Sequence, residues 1–369
     1  MKVHFFAGVQ IALAIFINGP FVNAQSGADL SARRPASFLN GKGLFEADEL
    51  LHITLKGDIH GLITDRVGEP ERYPLTLTLL KEDSSEISIP IIARTRGHFR
   101  RMKGNCVYPP LLLEFPANDS LSRAYFKGPV KLKLVMPCRG DMYVIHEWLV
   151  YKLYNLVTPL SFRSRLVNVK MVDDGNKKNY QTFYGILLEE EKQLAERNNM
   201  VVFSHQIKPE QTVTDPFLTM AVFQYLIGNT DWSVQYLQNI KLIATDSMAV
   251  PVTVPYDFDH AGIVNAPYAL PAPQLELSSI RERRYRGYCI DNIKIFDSTI
   301  ARYNRLKDAI YNLYKNCPLL DPKYLKSTLR YLDEFYATIN NPNDLNREFT
   351  YPCNKEGTGN VIIRGIKEK

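Results

Sequence analysis

A predicted apolar helix ends in Gly228-Asn229-Thr230-Asp231-Trp232, and a predicted hairpin after it ends in Tyr256-Asp257-Phe258-Asp259. Asn239 stands at the start of the first strand of this hairpin. Carboxylate and carboxamide side chains therefore lie at the ends of predicted helices and strands that are near one another in the sequence. Hard divalent cations take oxygen ligands of this kind. The stretch 223–259 predicts a site for such a cation where a helix end meets a hairpin.

Residues 50–188, upstream of this stretch, mainly follow the two-residue period that is typical of strands. Gly, Asp, Asn and Pro separate seven predicted strands: Leu51–Leu55, Leu75–Leu79, Ile87–Ala93, Leu111–Phe115, Val130–Val135, Leu166–Val172 and Phe183–Leu188. A helix is predicted between Met142 and Leu156, where apolar residues recur at helical spacing. The later part is mostly helical, with helices over 190–198, 216–227, 291–314 and 323–339 and a hairpin of 240–243 with 252–256. The fold class is therefore predicted to be α+β.

Length and composition are those of a folded protein with room for two lobes. The chain has 369 residues, 45% hydrophobic content and a net charge of +6. Its charge is spread out, apart from the basic run Arg281–Arg286, which is typical of a solvated loop and less often of a phosphate contact. Zinc-finger, leucine-zipper and RNA-recognition signatures are missing from the sequence, so we expect no nucleic-acid partner.

The first residues have the pattern of an export signal. Lys2 precedes the apolar stretch Phe5–Ile17, and Val22-Asn23-Ala24 offers small residues for cleavage. We therefore expect a signal peptide over 1–24, a flexible leader over 25–45 and an exported protein in the periplasm, at the cell surface or secreted. A membrane anchor is the alternative, but Asn18-Gly19-Pro20 breaks the apolar run, so we expect no transmembrane segment after cleavage.

Five cysteines allow at most two disulfides. Cys106 and Cys138 flank two predicted strands of one sheet, which favours their pairing. Buried free thiols are equally compatible with the other three cysteines, Cys289, Cys317 and Cys353.

Phosphoryl transfer needs a group that orients the attacking hydroxyl, oxygen ligands for metal ions and a cation on the phosphates. Asp231 lies in a turn, where its carboxylate can accept a hydrogen bond from a hydroxyl. Asn239 and Asp257 would lie side by side if the two hairpin strands pair, and both can reach a metal ion. The sequence therefore offers the parts of a phosphotransferase site.

Other interpretations of the same residues stay open. The stretch 229–231 is compatible with a plain helix-terminating turn. An acidic pair after an apolar strand is also found in haloacid-type phosphatases and metal-dependent glycosyltransferases, although the predicted order of elements does not fit such a phosphatase. Asp259 is either a second metal ligand or a carboxylate bonded to backbone donors, and His260 is more typical of a structural residue.

The order of these features resembles the CotH-like protein kinases, an atypical branch of the kinase-like superfamily. Three early segments are similar to that family: Ile92–Gly97, Met142–Tyr154, and the strands that include Phe162–Val167 and Tyr184–Glu189. The most specific similarity lies in Asn229–Trp232, Asn239–Lys241 and Tyr256–Asp259. The resemblance covers roughly residues 45–310.

This resemblance implies an atypical protein-kinase-like fold with two lobes, a β-rich lobe over 46–189 and a mainly helical lobe with the catalytic hairpin over 190–350, before a tail over 351–369. It implies ATP and Mg or Mn as cofactors, and a protein or other secreted acceptor. The site residues that it implies are Asp231 as the catalytic aspartate, Asn239, Asp257 and Asp259 at the metal, Lys131 or Lys133 on the phosphates, Glu147 as the partner of that lysine, and Glu189 where the lobes join.

The sequence also departs from ordinary protein kinases. A glycine-rich loop is missing from it, so Arg96, Arg100 or Arg101 would have to hold the phosphates. Asp231 and Asn239 are eight positions apart, longer than the interval in those kinases, and Asp259 replaces the glycine after Asp-Phe. The alternative function is therefore a catalytically inactive pseudokinase or a surface binding or adhesion protein.

Overall fold

A computed structural model of the chain describes residues 43–80, 85–116, 131–175 and 180–358. Seven strands form a closed barrel in the order β1-β2-β3-β4-β5-β7-β6. Their bounds are Leu51–Gly57 (β1), Tyr73–Leu80 (β2), Glu86–Thr95 (β3), Leu111–Glu114 (β4), Lys131–Val135 (β5), Ser164–Asp173 (β6) and Phe183–Leu188 (β7). All seven predicted strands are confirmed within the described residues; Val130, where the fifth was predicted to begin, lies outside them.

Alternation of side chains explains how these strands share the barrel core. In β5, Leu132 and Leu134 face the barrel interior, whereas Val135 packs on the helical side. In β7, Leu187 faces inward and Ile186 and Leu188 pack against the helices. Strands that carry apolar residues on both faces are buried on both faces. This part of the barrel wall therefore lies between two hydrophobic clusters.

The closure of the barrel contradicts the predicted two-lobed, protein-kinase-like fold. β1 pairs with β6 in parallel along its whole length, from Leu51 opposite Val167 to Gly57 opposite Asp173. All other barrel pairs are antiparallel. The parallel pair joins strands that are distant in sequence, and it converts the sheet into a mixed seven-stranded barrel. The described chain contains both strands and helices, but the predicted fold class, an α+β two-lobed kinase-like fold, was wrong.

The rest of the described chain consists of helices and a small second sheet. Seven α-helices are described: Ile59–Thr64 (α1), Met142–Val157 (α2), Glu191–Arg197 (α3), Thr214–Ile227 (α4), Asp297–Lys315 (α5), Pro322–Asn340 (α6) and Pro342–Phe349 (α7). Strands Val201–Phe203 (β8), Ile240–Ala244 (β9) and Val252–Pro255 (β10) form an antiparallel sheet in the order β10-β9-β8. The predicted hairpin is therefore confirmed, with a third strand that was not predicted. None of the helices in the described ranges has the length and apolar content needed to span a bilayer.

Two disulfides link described cysteines. Cys106 is bonded to Cys138, as predicted, and Cys289 is bonded to Cys353. Cys317 is the free cysteine. Because Cys353 follows the last helix, its disulfide ties this end of the described chain to the segment after the basic run Arg281–Arg286.

The predicted terminal segments lie largely outside the described residues. The signal peptide over 1–24 and most of the leader over 25–45 fall before residue 43, and most of the tail over 351–369 falls after residue 358. Leu44 and Phe45, at the end of the predicted leader, are buried with the barrel cluster. The division of the chain near residue 189 stays a prediction.

His146 of α2 is a buried histidine whose surroundings favour its neutral form. Its ring stacks on Tyr324 of α6 with centroids 3.4 Å apart. Its Nδ1 lies 3.1 Å from the carbonyl of Val264, which can only accept, so Nδ1 carries the proton. Burial lowers the pKa of His146 to about 4, against the opposing effects of the Val264 carbonyl and Asp321.

We expect this histidine to make the protein less stable as the pH falls. In the unfolded chain His146 titrates near its ordinary pKa of about 6.5. Between pH 6.5 and 4 the unfolded state therefore binds more protons, and the free energy of unfolding decreases by about 3 kcal/mol as the pH falls through this window. Denaturant unfolding of wild type and His146→Phe across this pH range measures the effect. The difference between their free energies of unfolding should change by nearly this amount between pH 6.5 and 4. His205→Asn changes an exposed histidine and is the control. A wild-type minus His146→Phe difference that is the same at pH 7 and pH 4.5 would contradict the prediction.

Candidate active site

One cleft contains most of the predicted site residues. It has a volume of about 740 Å³ and lies against the outer face of the barrel, beside the loops that follow α4 and β10. Residues from both halves of the chain line it: Arg96, Gly97, His98, Phe99, Arg100, Pro110, Lys133, Val135, Tyr151, Leu188, Asp231, Gln238, Asn239, Tyr256, Asp257, Asp259 and His260. A volume of this size is typical of small-molecule sites.

The turn that presents Asp231 starts at the end of α4. Gly228 ends the helix with a φ of 65°, and a Cβ at this position would lie 2.0 Å from the hydroxyl of Tyr331. The next residue, Asn229, accepts a hydrogen bond through Oδ1 from the Asp231 amide (3.0 Å). Trp232 donates through Nε1 to the Asn229 carbonyl (3.2 Å). Local hydrogen bonds of this kind hold the turn in place, and Asp231 lines the cleft.

Two side-chain amides hold the carboxylate of Asp231. Gln238 donates to Oδ1, and Asn239 donates through Nδ2 to Oδ2 at 3.0 Å. Burial raises the pKa of Asp231, with Asp259 adding to the effect and His260, Arg286 and the Asn239 hydrogen bond opposing it. A fixed carboxylate with a raised pKa suits a group that accepts a proton from a substrate hydroxyl.

The predicted neighbourhood of Asn239 and Asp257 is confirmed. β9 and β10 pair, and the amide of Tyr256 donates to the carbonyl of Asn239 (3.0 Å). Asn239 and Asp257 both have left-handed backbones, with φ values of 51° and 61°. This conformation is costly for most residues, but Asn and Asp tolerate it. Backbone strain of this kind is concentrated at functional sites.

The amide of Asp257 has a partner on α2 that was not predicted. It donates to the hydroxyl of the buried Tyr151 (2.9 Å). Burial and the nearby Asp259 raise the pKa of Asp257 to about 6, while Arg100 and Arg96 lower it. Ionising this carboxylate is therefore less favourable in the folded protein than in water, and a bound cation would offset that cost.

Asp259 and Glu147 share a buried arginine. Nε of Arg100 lies 3.8 Å from Oδ2 of Asp259, and Nη1 lies 4.0 Å from Oε2 of Glu147. Tyr268 also donates to Oδ2 of Asp259, at 3.2 Å. Burial raises the pKa of Glu147, and Arg100 opposes this increase. The resemblance implied that Glu147 pairs with Lys131 or Lys133. In the described part of the chain it pairs with Arg100 instead.

Of the two candidate lysines, the described cleft lining includes Lys133 and not Lys131. The ammonium of Lys133 lies 5.3 Å from the ring centre of Tyr256 and 5.9 Å from that of Phe162. Burial and the positive charges of Arg96 and Lys241 lower the pKa of Lys133 to about 8. Lys131 shares its face of β5 but is the first residue of the strand, where it lies opposite Glu114.

Three further predicted site residues, two arginines proposed to hold the phosphates and the glutamate where the lobes would join, have different surroundings. Arg96 follows β3 and lines the cleft. Arg101 lies outside the described lining, where its Nη2 contacts Oδ1 of Asp65 at 3.0 Å. Glu189 is fully buried and accepts from Arg197 (2.9 and 3.1 Å) and Arg163 (3.0 and 3.2 Å). It also lies outside the described lining, so its surroundings are those of a structural ion pair.

The basic run Arg281–Arg286 is not a solvated loop. Arg283 stacks on Tyr331, with its guanidinium carbon 3.5 Å from the ring centre, and donates to the Tyr331 carbonyl (2.6 Å). Arg286 donates to the carbonyls of Thr230 and Trp232, the latter at 2.9 Å. These contacts support the turn that carries Asp231. Sequence reasoning missed this role because a run of charges gives no sign of its partners.

The cleft offers side-chain oxygens of the kind that a hard cation takes. Asn239 uses Nδ2 as a donor to Asp231, which leaves Oδ1 as the atom that would contact a metal ion. Together with the Asp257 carboxylate it supplies the oxygen ligands that Mg²⁺ and Mn²⁺ prefer. Among the described residues, the one group of three His, Cys, Asp or Glu side chains with ligand atoms mutually within 4.8 Å is Cys289, Asp291 and Cys353. The disulfide between its cysteines removes it as a metal site. No three of the described acidic or histidine side chains that line the cleft have ligand atoms that close to one another.

Comparisons with known proteins add no family to this description. No protein-family model matches the chain, and a search of curated proteins finds no match.

Proposed function

We propose that the cleft is a metal-dependent phosphotransferase site. It would transfer the γ-phosphoryl group of ATP to a hydroxyl on a protein or other exported acceptor, with Mg or Mn as the metal. One observation carries the proposal: a single cleft gathers Asp231, Asn239 and Asp257 with the cationic side chains of Lys133 and Arg96. These are the groups that phosphoryl transfer needs, and positioning and charge stabilisation account for most of its catalysis.

Each group has a distinct task in this proposal. Asp231 orients the acceptor hydroxyl and accepts its proton. Asn239 and Asp257 would hold the divalent cation, which neutralises charge on the phosphates when it is bound. Lys133 and Arg96 contact the phosphate oxygens in place of a glycine-rich loop. The proposal does not depend on a protein-kinase-like fold, which the closed barrel excludes. The resemblance to CotH-like kinases points to the same chemistry and stays part of the proposal.

Export is also part of the proposal. The two disulfides are compatible with an oxidising compartment outside the cytoplasm. The acceptor would then be another exported molecule that carries a hydroxyl group.

The alternative is a catalytically inactive pseudokinase or a surface binding or adhesion protein. The hydrogen bonds at Asp231 favour this alternative, because both carboxylate oxygens already accept from Gln238 and Asn239. An ionised carboxylate has about four lone-pair sites, however, so two amide donors leave room for a substrate hydroxyl. The amides are therefore compatible with catalysis.

Lys133→Met tests the proposal against a matched variant on the same strand. We expect wild type to show a metal-dependent rise in melting temperature with ATP and to transfer label from γ-labelled ATP. Lys133→Met removes a charged contact to phosphate, and such contacts contribute about 1.5–3 kcal/mol, so the Kd for ATP should increase roughly 10- to 100-fold. Methionine keeps an apolar contact with the Tyr256 ring. Calorimetric titration with Mg-ATP measures the change.

Lys131→Met is the control, since this lysine shares the strand but lies outside the described cleft lining. Its Kd for ATP should stay within about twofold of wild type, as is usual for surface substitutions. Equal losses in the two variants would show that the general charge of the strand matters, and not a phosphate contact. Wild type that neither binds nor hydrolyses ATP would contradict the proposed function, and binding without transfer would support the inactive alternative.

A further inference from the structure

Arg100 lies among the acidic side chains of the cleft. It belongs to the short 3₁₀ turn Phe99–Arg101 after β3, is 8% exposed and lines the cleft. Its guanidinium is 3.8 Å from the carboxylate of Asp259 and 4.0 Å from that of Glu147. Nη2 donates to the carbonyl of Met136 (3.1 Å), which anchors the side chain to the barrel. A positive charge of the chain itself therefore faces two buried carboxylates.

Charge compensation explains why such an arrangement is stable. Asp259 is 5% exposed and Glu147 is 1% exposed, so an ionised carboxylate at either position needs a cation. Oδ2 of Asp259 already accepts from Tyr268 and faces Arg100. Asp259 is thus oriented toward the arginine. Among the described residues Asp257 has no ion pair within 4.0 Å, and Arg100 and Arg96 act on its carboxylate only from a greater distance.

Three buried polar atoms show that this part of the cleft is not tightly bonded. Nε of Arg100, Oε1 of Glu147 and Nδ1 of His260 have no hydrogen-bond partner among the described residues. The ion-pair distances of 3.8 and 4.0 Å are also longer than hydrogen bonds. The arginine therefore compensates the charge of the two carboxylates from a distance. A metal ion would bind them directly and draw them together.

We propose that Arg100 takes the place of a second divalent cation beside Asp259 and Glu147, so that the cleft binds one divalent ion, held by Asn239 and Asp257. Asp259 then serves as the counter-ion of Arg100 and is not a ligand of that ion. This inference rests on the proposed function for the position of the ion. According to this inference, the charge of Arg100 determines how many metal ions the site binds.

Titration of the full chain with Mn²⁺ tests this number. Electron paramagnetic resonance of free Mn²⁺ gives the stoichiometry, with and without a non-hydrolysable ATP analogue. We expect one ion per chain for wild type. Arg100→Met has a similar length but no charge, so it should bind two ions, and Mn²⁺ should raise its melting temperature more than that of wild type. Arg101→Met is the matched control, because Arg101 pairs with Asp65 outside the described lining, and it should bind one ion.

Asp259→Asn gives a second test if Arg100→Met does not fold. We expect its Kd for the single Mn²⁺ to stay within about threefold of wild type, since ligands of the ion would be unchanged. Two ions bound to wild type, or a Kd that increases more than tenfold in Asp259→Asn, would overturn the inference. If wild type binds one ion but transfers no phosphoryl group, only the proposed function is overturned. If wild type binds two ions and transfers the group, only this inference is overturned. A wild-type chain that binds no Mn²⁺ would overturn both.

Discussion

Asp231→Asn is expected to lower kcat for phosphoryl transfer about 10³-fold, within the range that general bases contribute. Asparagine has nearly the same shape but cannot accept a proton. An asparagine at this position cannot accept from both Gln238 and Asn239, so one of these side-chain hydrogen bonds is lost. The turn should still keep its structure, because the backbone amide of Asp231 donates to Asn229 and its carbonyl accepts from Asn239, and neither bond involves the replaced group. Single-turnover transfer from γ-labelled ATP measures the chemical step, and calorimetry measures ATP binding separately. We expect the Kd for ATP to change little, since Asp231 acts on the acceptor hydroxyl.

Asp308→Asn is the control for this substitution. It removes the same charge from an exposed position of α5, outside the described cleft lining. We expect it to transfer at the wild-type rate. If Asp231→Asn also transfers at that rate, Asp231 is not the base, and the hydrogen bonds from Gln238 and Asn239 would then be the whole of its role.

The strands could be predicted from the sequence because alternation is a local property. Leu132 and Leu134 alternate with two lysines in β5, and this pattern alone indicates one buried face. The closure of the barrel is not local, since Leu51 has to pair with Val167. The alternation of apolar residues in β1 and β6 would be the same if the two strands were the open edges of a sheet or if they were paired with each other. The sequence therefore predicted the strands but not the barrel, and the resemblance supplied a wrong architecture.

The candidate site shows the same division between local and distant information. Asp231, Asn239 and Asp257 could be found because a helix end and a hairpin place them, and both elements are local. The choice between Lys131 and Lys133 depended on their positions along one strand face, which alternation cannot distinguish. The partners of Arg100 and Arg286 are distant in sequence, and an arginine in a sequence gives no sign of whether it makes a buried contact.

The environment of Asp257 makes it both necessary for the proposed chemistry and unfavourable for stability. Burial and Asp259 raise its pKa to about 6, so Asp257 is still mainly ionised at neutral pH, but its charge is less favourable in the folded protein than in the unfolded chain. A neutral side chain of the same shape should therefore stabilise the protein when no metal is bound. Asparagine also tolerates the left-handed backbone at this position, where φ is 61°. Asp257→Asn separates the effect of the charge from that of the backbone.

We expect Asp257→Asn to melt at a higher temperature than wild type without metal, and to lose the further increase that Mn²⁺ gives to wild type. The loss of an anionic ligand should weaken Mn²⁺ binding at least about 100-fold and lower kcat/KM about 10³-fold, since a metal ion contributes several kcal/mol to such transition states. Melting curves, Mn²⁺ titration and labelled transfer measure the three effects, with Asp308→Asn as the charge-matched control. A structural aspartate would give the opposite pattern, with a lower melting temperature and unchanged Mn²⁺ binding. Opposite changes in stability and metal affinity can arise only if the carboxylate is held at a cost that a bound cation offsets.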